Sequence, residues 1–184
     1  MPILVASIAA AALIFAAVIA ARQLHVWWKY RGQRVVTCPE TRNAAGVVVD
    51  ARHAAATGLF DAPELRLSSC SRWPERKDCG QLCLSQVAAA PEDCLIRNIL
   101  TKWYEGEVCA FCGRPFGMLE WGSSRPALLL AKGLSVEWSQ IAADKLPDTL
   151  AIARPVCFAC HMANTMVREH PELVTDRSSQ APGR

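Results

Sequence analysis

The chain opens on an unbroken apolar run and then changes character. Ile3 to Ala21 (ILVASIAAAALIFAAVIAA) carries Ser7 as its sole polar side chain. As a helix rising about 1.5 Å per residue it extends about 28 Å, close to the hydrocarbon thickness of a bilayer. In lipid such a helix satisfies its own backbone, and Ser7 can bond back to a carbonyl one turn earlier. The pattern predicts a transmembrane helix. Beyond it the periods are short. Gly46–Asp50 reads as a strand, Ala51–Thr57 as a short helix, Leu65–Leu67 as a second strand and Cys79–Ala90 as a helix. Pro91 opens a further helix running to Gly106, with Glu92 and Asp93 in its first turn. Leu95, Ile96, Ile99, Leu100 and Trp103 share one face of it and read as core. From Val108 onward, β-hairpins are expected at Gly117–Trp121 and at Ala127–Leu130 with Leu134–Trp138 around Lys132-Gly133. Pro155 halts the segment before it, Cys160–His170 reads as a terminal helix stopped by Pro171, and residues 173–184 read as a polar, flexible tail.

The flanks of the apolar run sharpen its reading. Arg22, His25, Trp27, Trp28, Lys29, Tyr30, Arg31 and Arg34 follow it directly, the mixture of aromatics and cations that a membrane interface selects. No Lys or Arg precedes it, and it exceeds a typical signal-peptide core, so Val18-Ile19-Ala20 is only a weak cleavage match. The positive-inside rule then places residues 22–184 in the cytoplasm of a single-pass cell-membrane protein, with a periplasm-facing domain as the alternative. Ala12, Ala16 and Ala20 recur at helix-packing spacing, although in so alanine-rich a run such spacings are nearly unavoidable.

Composition and charge exclude several classes. An apolar content of 52% with modest Gly and Pro rules out disordered and collagen-like chains. The net charge of +3 comes from 20 Lys and Arg against 17 Asp and Glu. Four of those cations sit at positions 22–34, which leaves the remaining body close to neutral. A body of that kind lacks the clustered cations that a nucleic-acid backbone requires, so no nucleic acid is expected as a partner.

The cysteines carry the chemistry. Of nine, four form two pairs with a two-residue spacer: Cys109-Ala-Phe-Cys112 and Cys157-Phe-Ala-Cys160. Such a spacer bends the backbone so that both sulfurs face one ion, and two such knuckles supply the four thiolates of a tetrahedral zinc site. Gly113 allows the tight turn after the first knuckle, and the insert over 113–156 must fold between the two. Cys70, Cys79, Cys83 and Cys94 are candidates for a second four-cysteine site, with Cys38 in Val-Thr-Cys-Pro-Glu as the alternative fourth ligand. Zinc leads there, and an iron–sulfur cluster is chemically allowed. Cys79 and Cys83, four apart, would share a face if helical.

A knuckle, hairpins and then a second knuckle opening a helix resembles the treble-clef zinc fingers over residues 107–170. The segment Val156-Cys157-Phe158-Ala159-Cys160-His161-Met162-Ala163-Asn164 resembles the last knuckle of HNH-type nucleases. That family places its general-base and metal-binding histidines before this knuckle. Here no histidine lies between residues 54 and 160, and His161 alone cannot fill both roles. The resemblance therefore implies the scaffold without the reaction centre. In general plan the chain is also similar to bacterial membrane proteins with a short anchor and a cysteine-rich domain, which implies no activity.

The expected class is α+β: one N-terminal transmembrane helix followed by a small cysteine-rich, zinc-finger-like domain. Its organisation reads as an anchor and basic juxtamembrane segment (1–34), a cysteine-containing α+β region (35–106), a treble-clef or zinc-ribbon-like region (107–172) and a tail (173–184). Cys157, Cys160 and His161 also match the attachment motif of haem c, the chemistry of an exported electron-transfer protein. The basic flank and the odd cysteine total oppose export. Thiol–disulfide catalysis is formally open to each CxxC pair, yet neither has the strand-then-helix context of a thioredoxin fold. No nucleophile elbow, phosphate-binding glycine loop or HExxH is present, so no complete catalytic constellation is legible. Asp50 and His53 read as a surface pair or helix cap. The function expected is a membrane-anchored structural-zinc protein serving interaction or assembly, with the bilayer bound through residues 3–21 and a protein partner at the membrane.

Overall fold

The computed structural model describes residues 2–76, 78–119, 121 and 127–173. Helix and sheet are mixed, and the chain divides into two compact units, Met1–Ile99 and Leu100–Arg184.

The first unit begins with α1 (Pro2–Tyr30), a single helix long and apolar enough to cross a membrane. Ser7 donates to the Leu4 carbonyl at 2.9 Å, as expected for a lone hydroxyl in such a run. Every large apolar side chain from Ile3 to Val18 is more than 60% exposed. The last turns behave differently. Val26 and Tyr30 are buried in the core and Trp27 packs against it, while Trp28 stays exposed under the Arg31 guanidinium. Arg34 is fully buried rather than at a lipid interface. Its guanidinium donates to the carbonyls of Lys29 and Tyr30 (2.6 Å each), Arg31 (3.0 Å) and Gly32 (3.1 Å). These are groups that a helix end leaves unpaired, and they lie at the negative pole of its dipole.

Past Gly32 the chain forms β1 (Gln33–Thr37), antiparallel to β2 (Ala44–Val49), which pairs antiparallel with β3 (Leu67–Cys70). Between β2 and β3 lies α2 (Ala51–Thr57), the helix expected there, packed against α1 through Ala51, Ala54 and Ala55. Val36, Val47, Val49, Leu67 and Val87 fill the space beneath the sheet.

Two expected helices are shorter than their patterns. The first, α3, covers only Leu84–Ala89, because Gly80 and the left-handed Gln81 (φ 52°) break the chain before it. Cys79 and Cys83 therefore do not share a helix face, and Cys83 is the N-cap. The helix expected from Pro91 starts at Ile96 instead (α4, Ile96–Tyr104). The Cys94 carbonyl is taken by the Val35 N–H at 2.9 Å, and Leu95 bridges to Arg34, so this backbone serves the sheet edge rather than a helix.

In the second unit β4 (Ala127–Leu129) is central, with β5 (Ser135–Glu137) on one side and β6 (Arg154–Val156) on the other, both antiparallel to it. β4 and β5 form the expected hairpin. Gly117–Leu119 and Trp121 form no strand, and Glu120 lies outside the described residues, as do 122–126 and the tail from 174. Helix α5 (Leu146–Ile152) precedes β6 and α6 (Phe158–Glu169) follows it. Leu100 and Tyr104, one turn apart at the end of α4, are buried, and the Tyr104 hydroxyl donates to the Ala127 carbonyl.

Candidate metal centre

The four cysteines of the two CxxC pairs come together. A tight turn sets the first pair: the Cys109 N–H donates to the Arg114 carbonyl, the Gly113 N–H donates to the Cys109 carbonyl (2.9 Å each), and Val108 bridges Pro115. Gly113 supplies the left-handed backbone this turn needs, φ 68°. The second pair straddles the start of α6, with Cys157 as N-cap and Cys160 in the first turn. Two bonds bring the pairs into register, Ala110 N–H to the Pro155 carbonyl at 2.9 Å and Cys157 N–H to Cys109 Sγ at 3.3 Å.

All four sulfurs lie within 4.8 Å of one another, and Cys112 Sγ is 3.9 Å from Cys157 Sγ. Zinc–sulfur bonds of about 2.3 Å in a tetrahedron place the sulfurs about 3.8 Å apart, so the cluster fits a four-thiolate ion with small adjustment. Cys109 is buried, Cys157 and Cys160 half-buried and Cys112 exposed.

The electrostatics point the same way. Burial works to raise the Cys109 thiol pKa, but the N–H groups of Cys157, Cys112 and Phe111 outweigh it and bring the value down to about 6. Burial and the neighbouring sulfurs push Cys160 up to about 12, and burial chiefly raises Cys157. One thiolate is easily formed, and further negative charge beside it is opposed until a cation arrives.

A polar network behind the centre was not legible as such in the sequence. Ser135 on β5 and His161 on α6 are both buried, with Ser135 Oγ 2.9 Å from His161 Nδ1 and 2.9 Å from Asn164 Oδ1. This ties α6, and with it Cys157 and Cys160, to the sheet. The signal available was His161 and Asn164 at helical spacing, but Ser135 lies 26 residues earlier and only the fold reveals it.

The remaining five cysteines lie in the first unit, and none of the nine is in a disulfide. Cys83 is buried in the core, with Cys38, Cys70 and Cys94 packed against it, and Cys79 is half-buried in the segment before α3. Burial raises the Cys83 thiol pKa, followed by the sulfurs of Cys70, Cys79 and Cys38. The Cys94 thiol lies instead against the Gln86 carbonyl at 3.9 Å. Among the described residues, only the Cys109 quartet brings three or more metal-ligating side chains within 4.8 Å of one another. Asp50 and His53 resolve as a cap: Asp50 Oδ1 accepts the His53 N–H at 3.0 Å.

No family model, curated protein or solved structure matches this chain.

Proposed function

We propose that the protein is a single-pass membrane protein whose Cys109, Cys112, Cys157 and Cys160 hold a structural zinc ion, and whose cytoplasmic body serves interaction or assembly at the membrane. The carrying observation is a quartet of sulfurs at tetrahedral spacing. Four protein thiolates fill the coordination shell, leaving no position for water or substrate, so the ion holds the fold together rather than catalysing a reaction. The order of turn knuckle, β4–β5 hairpin and α6-opening knuckle supports the treble-clef reading.

Anchoring rests on α1. Large apolar side chains on all sides of its first five turns, each mostly exposed, are incompatible with water and suit hydrocarbon. Arg22, Lys29 and Arg31 remain on its C-terminal flank when Arg34 is assigned to the core, so the positive-inside argument for a cytoplasmic body keeps its sign. A protein partner is supported by the exposed Phe158, Met162 and Met166, spaced four apart along α6, with Phe111 and Val167 lining a shallow recess beside them.

The haem c alternative is less well supported. It needs Cys157 and Cys160 free for thioether bonds and His161 free to face iron, whereas Cys157 adjoins two other sulfurs and His161 Nδ1 adjoins Ser135. The visible spectrum and elemental composition of the detergent-solubilised protein test the reading. A colourless, zinc-containing protein is expected, and a Soret band surviving acid–organic extraction would sink it. Zinc uptake by the apoprotein near neutral pH should release protons from Cys157 and Cys160, so affinity weakens as the pH falls. Alkaline phosphatase fused to the C-terminus should be inactive, and strong activity would reverse the orientation.

A further inference from the structure

The turn at Cys38 repeats the turn at Cys109 bond for bond. In each, the cysteine N–H donates to the carbonyl five residues on: Cys38 to Asn43 at 2.8 Å, Cys109 to Arg114 at 2.9 Å. In each, the cysteine carbonyl accepts the N–H four residues on: Arg42 at 2.8 Å, Gly113 at 2.9 Å. That fourth residue is left-handed in both, φ 57° at Arg42 and 68° at Gly113. Both turns close between paired positions, Thr37 opposite Ala44 and Val108 opposite Pro115. A left-handed arginine is sterically disfavoured, so this shape is maintained at a cost. Its effect is to aim donors at the sulfur. The N–H groups of Glu40 and Thr41, two and three residues on, reach the Cys38 sulfur. The N–H groups of Cys112 and Phe111 reach Cys109 from the corresponding positions of its turn.

Thr41 thus occupies the place of Cys112, so this knuckle provides one sulfur and needs three from elsewhere. Cys70 ends β3 opposite Val47, Cys83 is buried at the N-cap of α3, and Cys79 lies in the segment leading to it. The arrangement parallels the Cys109 centre, where a hairpin knuckle meets cysteines at the start of a helix.

We propose that Cys38, Cys70, Cys79 and Cys83 form a second four-thiolate site for one zinc-like divalent ion, built within residues 1–99 and independent of the Cys109 centre. Cys94 is not a ligand. Although it packs against the same core as Cys38 and Cys70, its sulfur is directed to the Gln86 carbonyl at 3.9 Å. No three of the four proposed ligand sulfurs lie within 4.8 Å of one another, so binding draws the Cys79–Cys83 segment inward. That segment is short and bent at the left-handed Gln81, with Gly80 open to space on its Cβ side, which suits such a movement.

Metal stoichiometry of the full-length protein in detergent tests this. Two zinc ions per chain are expected in the wild type and in C94S, and one in the C38S/C83S double variant. Cobalt substitution should show the same ordering in its thiolate charge-transfer absorbance. A measurement on the wild type covers the case in which the double variant does not fold. Chelation should open Cys38, Cys70, Cys79 and Cys83 to iodoacetamide, resolved peptide by peptide by mass spectrometry. One zinc in the wild type, two retained in C38S/C83S, or a drop to one in C94S would each overturn the assignment. So would iodoacetamide labelling of those four cysteines that chelation leaves unchanged.

Discussion

The two units close their interiors by different means. Residues 1–99 bury Val36, Val47, Val49, Leu67 and Val87 beneath a sheet of strands four to six residues long, and they seat α1 on α2 through alanines. In the second unit each strand among the described residues is three residues long, and the buried cluster at its candidate metal centre is Cys109, Ala127 and Val156, with Cys157 and Cys160 packed on it. The second unit also buries Leu100, Tyr104, Leu128 and Leu146, but the apolar burial beside the sulfurs is one alanine and one valine. That burial is worth roughly 1–3 kcal/mol, against the order of 10 kcal/mol of apparent binding free energy that a structural zinc carries. In the first unit the packed sheet positions the cysteines. In the second, on the proposed reading, the ion-bound cysteines add a clamp that ties the sheet to α6.

The largest predicted effect follows from that difference. Cys109→Ser, which leaves the proposed first-unit site intact, should remove hydrogen-exchange protection from β4, β6 and α6 while β1 and β2 stay protected. Equal loss in both units would mean that the first also depends on the Cys109 centre. Unchanged protection and zinc content in the variant would remove the Cys109 centre altogether.

The reverse probe targets Arg34. Its guanidinium satisfies four carbonyls at the end of α1 from a fully buried position. Arg34→Met keeps the apolar stem and leaves those carbonyls unpaired, at a cost of about 3 kcal/mol by the usual penalty for buried unsatisfied groups. Arg34→Lys should recover only part of this, because an ammonium cannot reproduce the planar fork. Denaturant unfolding followed through the first unit measures both. Equal stability of the Arg34→Met variant and the wild type would show that water already serves these carbonyls.

How far these features were legible depends on the range of the interaction behind each. The α1 run and the paired CxxC spacings are local patterns, and both are present in the structure. Short elements followed local cues where nothing distant competed, as at Ala51–Thr57. Where a distant partner took over the backbone, local pattern misled, as when Val35 captured the Cys94 carbonyl and delayed α4. β1 went unread because Gln33–Thr37 adjoins a basic, aromatic stretch that resembles a membrane flank. The same resemblance hid Arg34 and Tyr30, whose burial depends on contacts the local sequence does not display. The likeness of the Cys38 and Cys109 turns is likewise invisible in composition, since Pro-Glu-Thr-Arg and Ala-Phe-Cys-Gly share no residue.

A smaller effect separates the support of the metal centre from its ligands. His161→Phe fills similar space but removes the Nδ1 partner of Ser135 Oγ, which keeps its bond to Asn164 Oδ1, and about 1 kcal/mol should be lost with that hydrogen bond. Zinc content should remain at the wild-type level in the folded protein, while the midpoint for chelator-induced release falls. Loss of zinc at folding would instead make His161 a ligand or an obligatory brace for Cys157 and Cys160.

The smallest effect lies in the first unit, at the junction of β2 and α2. Asp50 Oδ1 accepts the His53 N–H, and Oδ2 accepts Nε and Nη2 of Arg66 at 3.0 and 2.7 Å. The His53 N–H first, and Arg66 next, hold the carboxyl pKa below its ordinary value. Because the folded value is the lower one, the stabilisation is complete above the unfolded carboxylate pKa of about 3.9. It disappears as the pH falls through the folded value, where protonation removes the charge that Arg66 and the helix start both favour. Asp50→Asn keeps an oxygen for the cap while abolishing the titration and the ion pair. The variant should therefore be slightly less stable near neutrality, converge on the wild type in acid, and show a flatter decline of first-unit stability below about pH 4. Denaturant midpoints taken across that range decide it. Parallel acid profiles for the Asp50→Asn variant and the wild type would mean that the exposed pair is fully screened and that the cap alone accounts for Asp50.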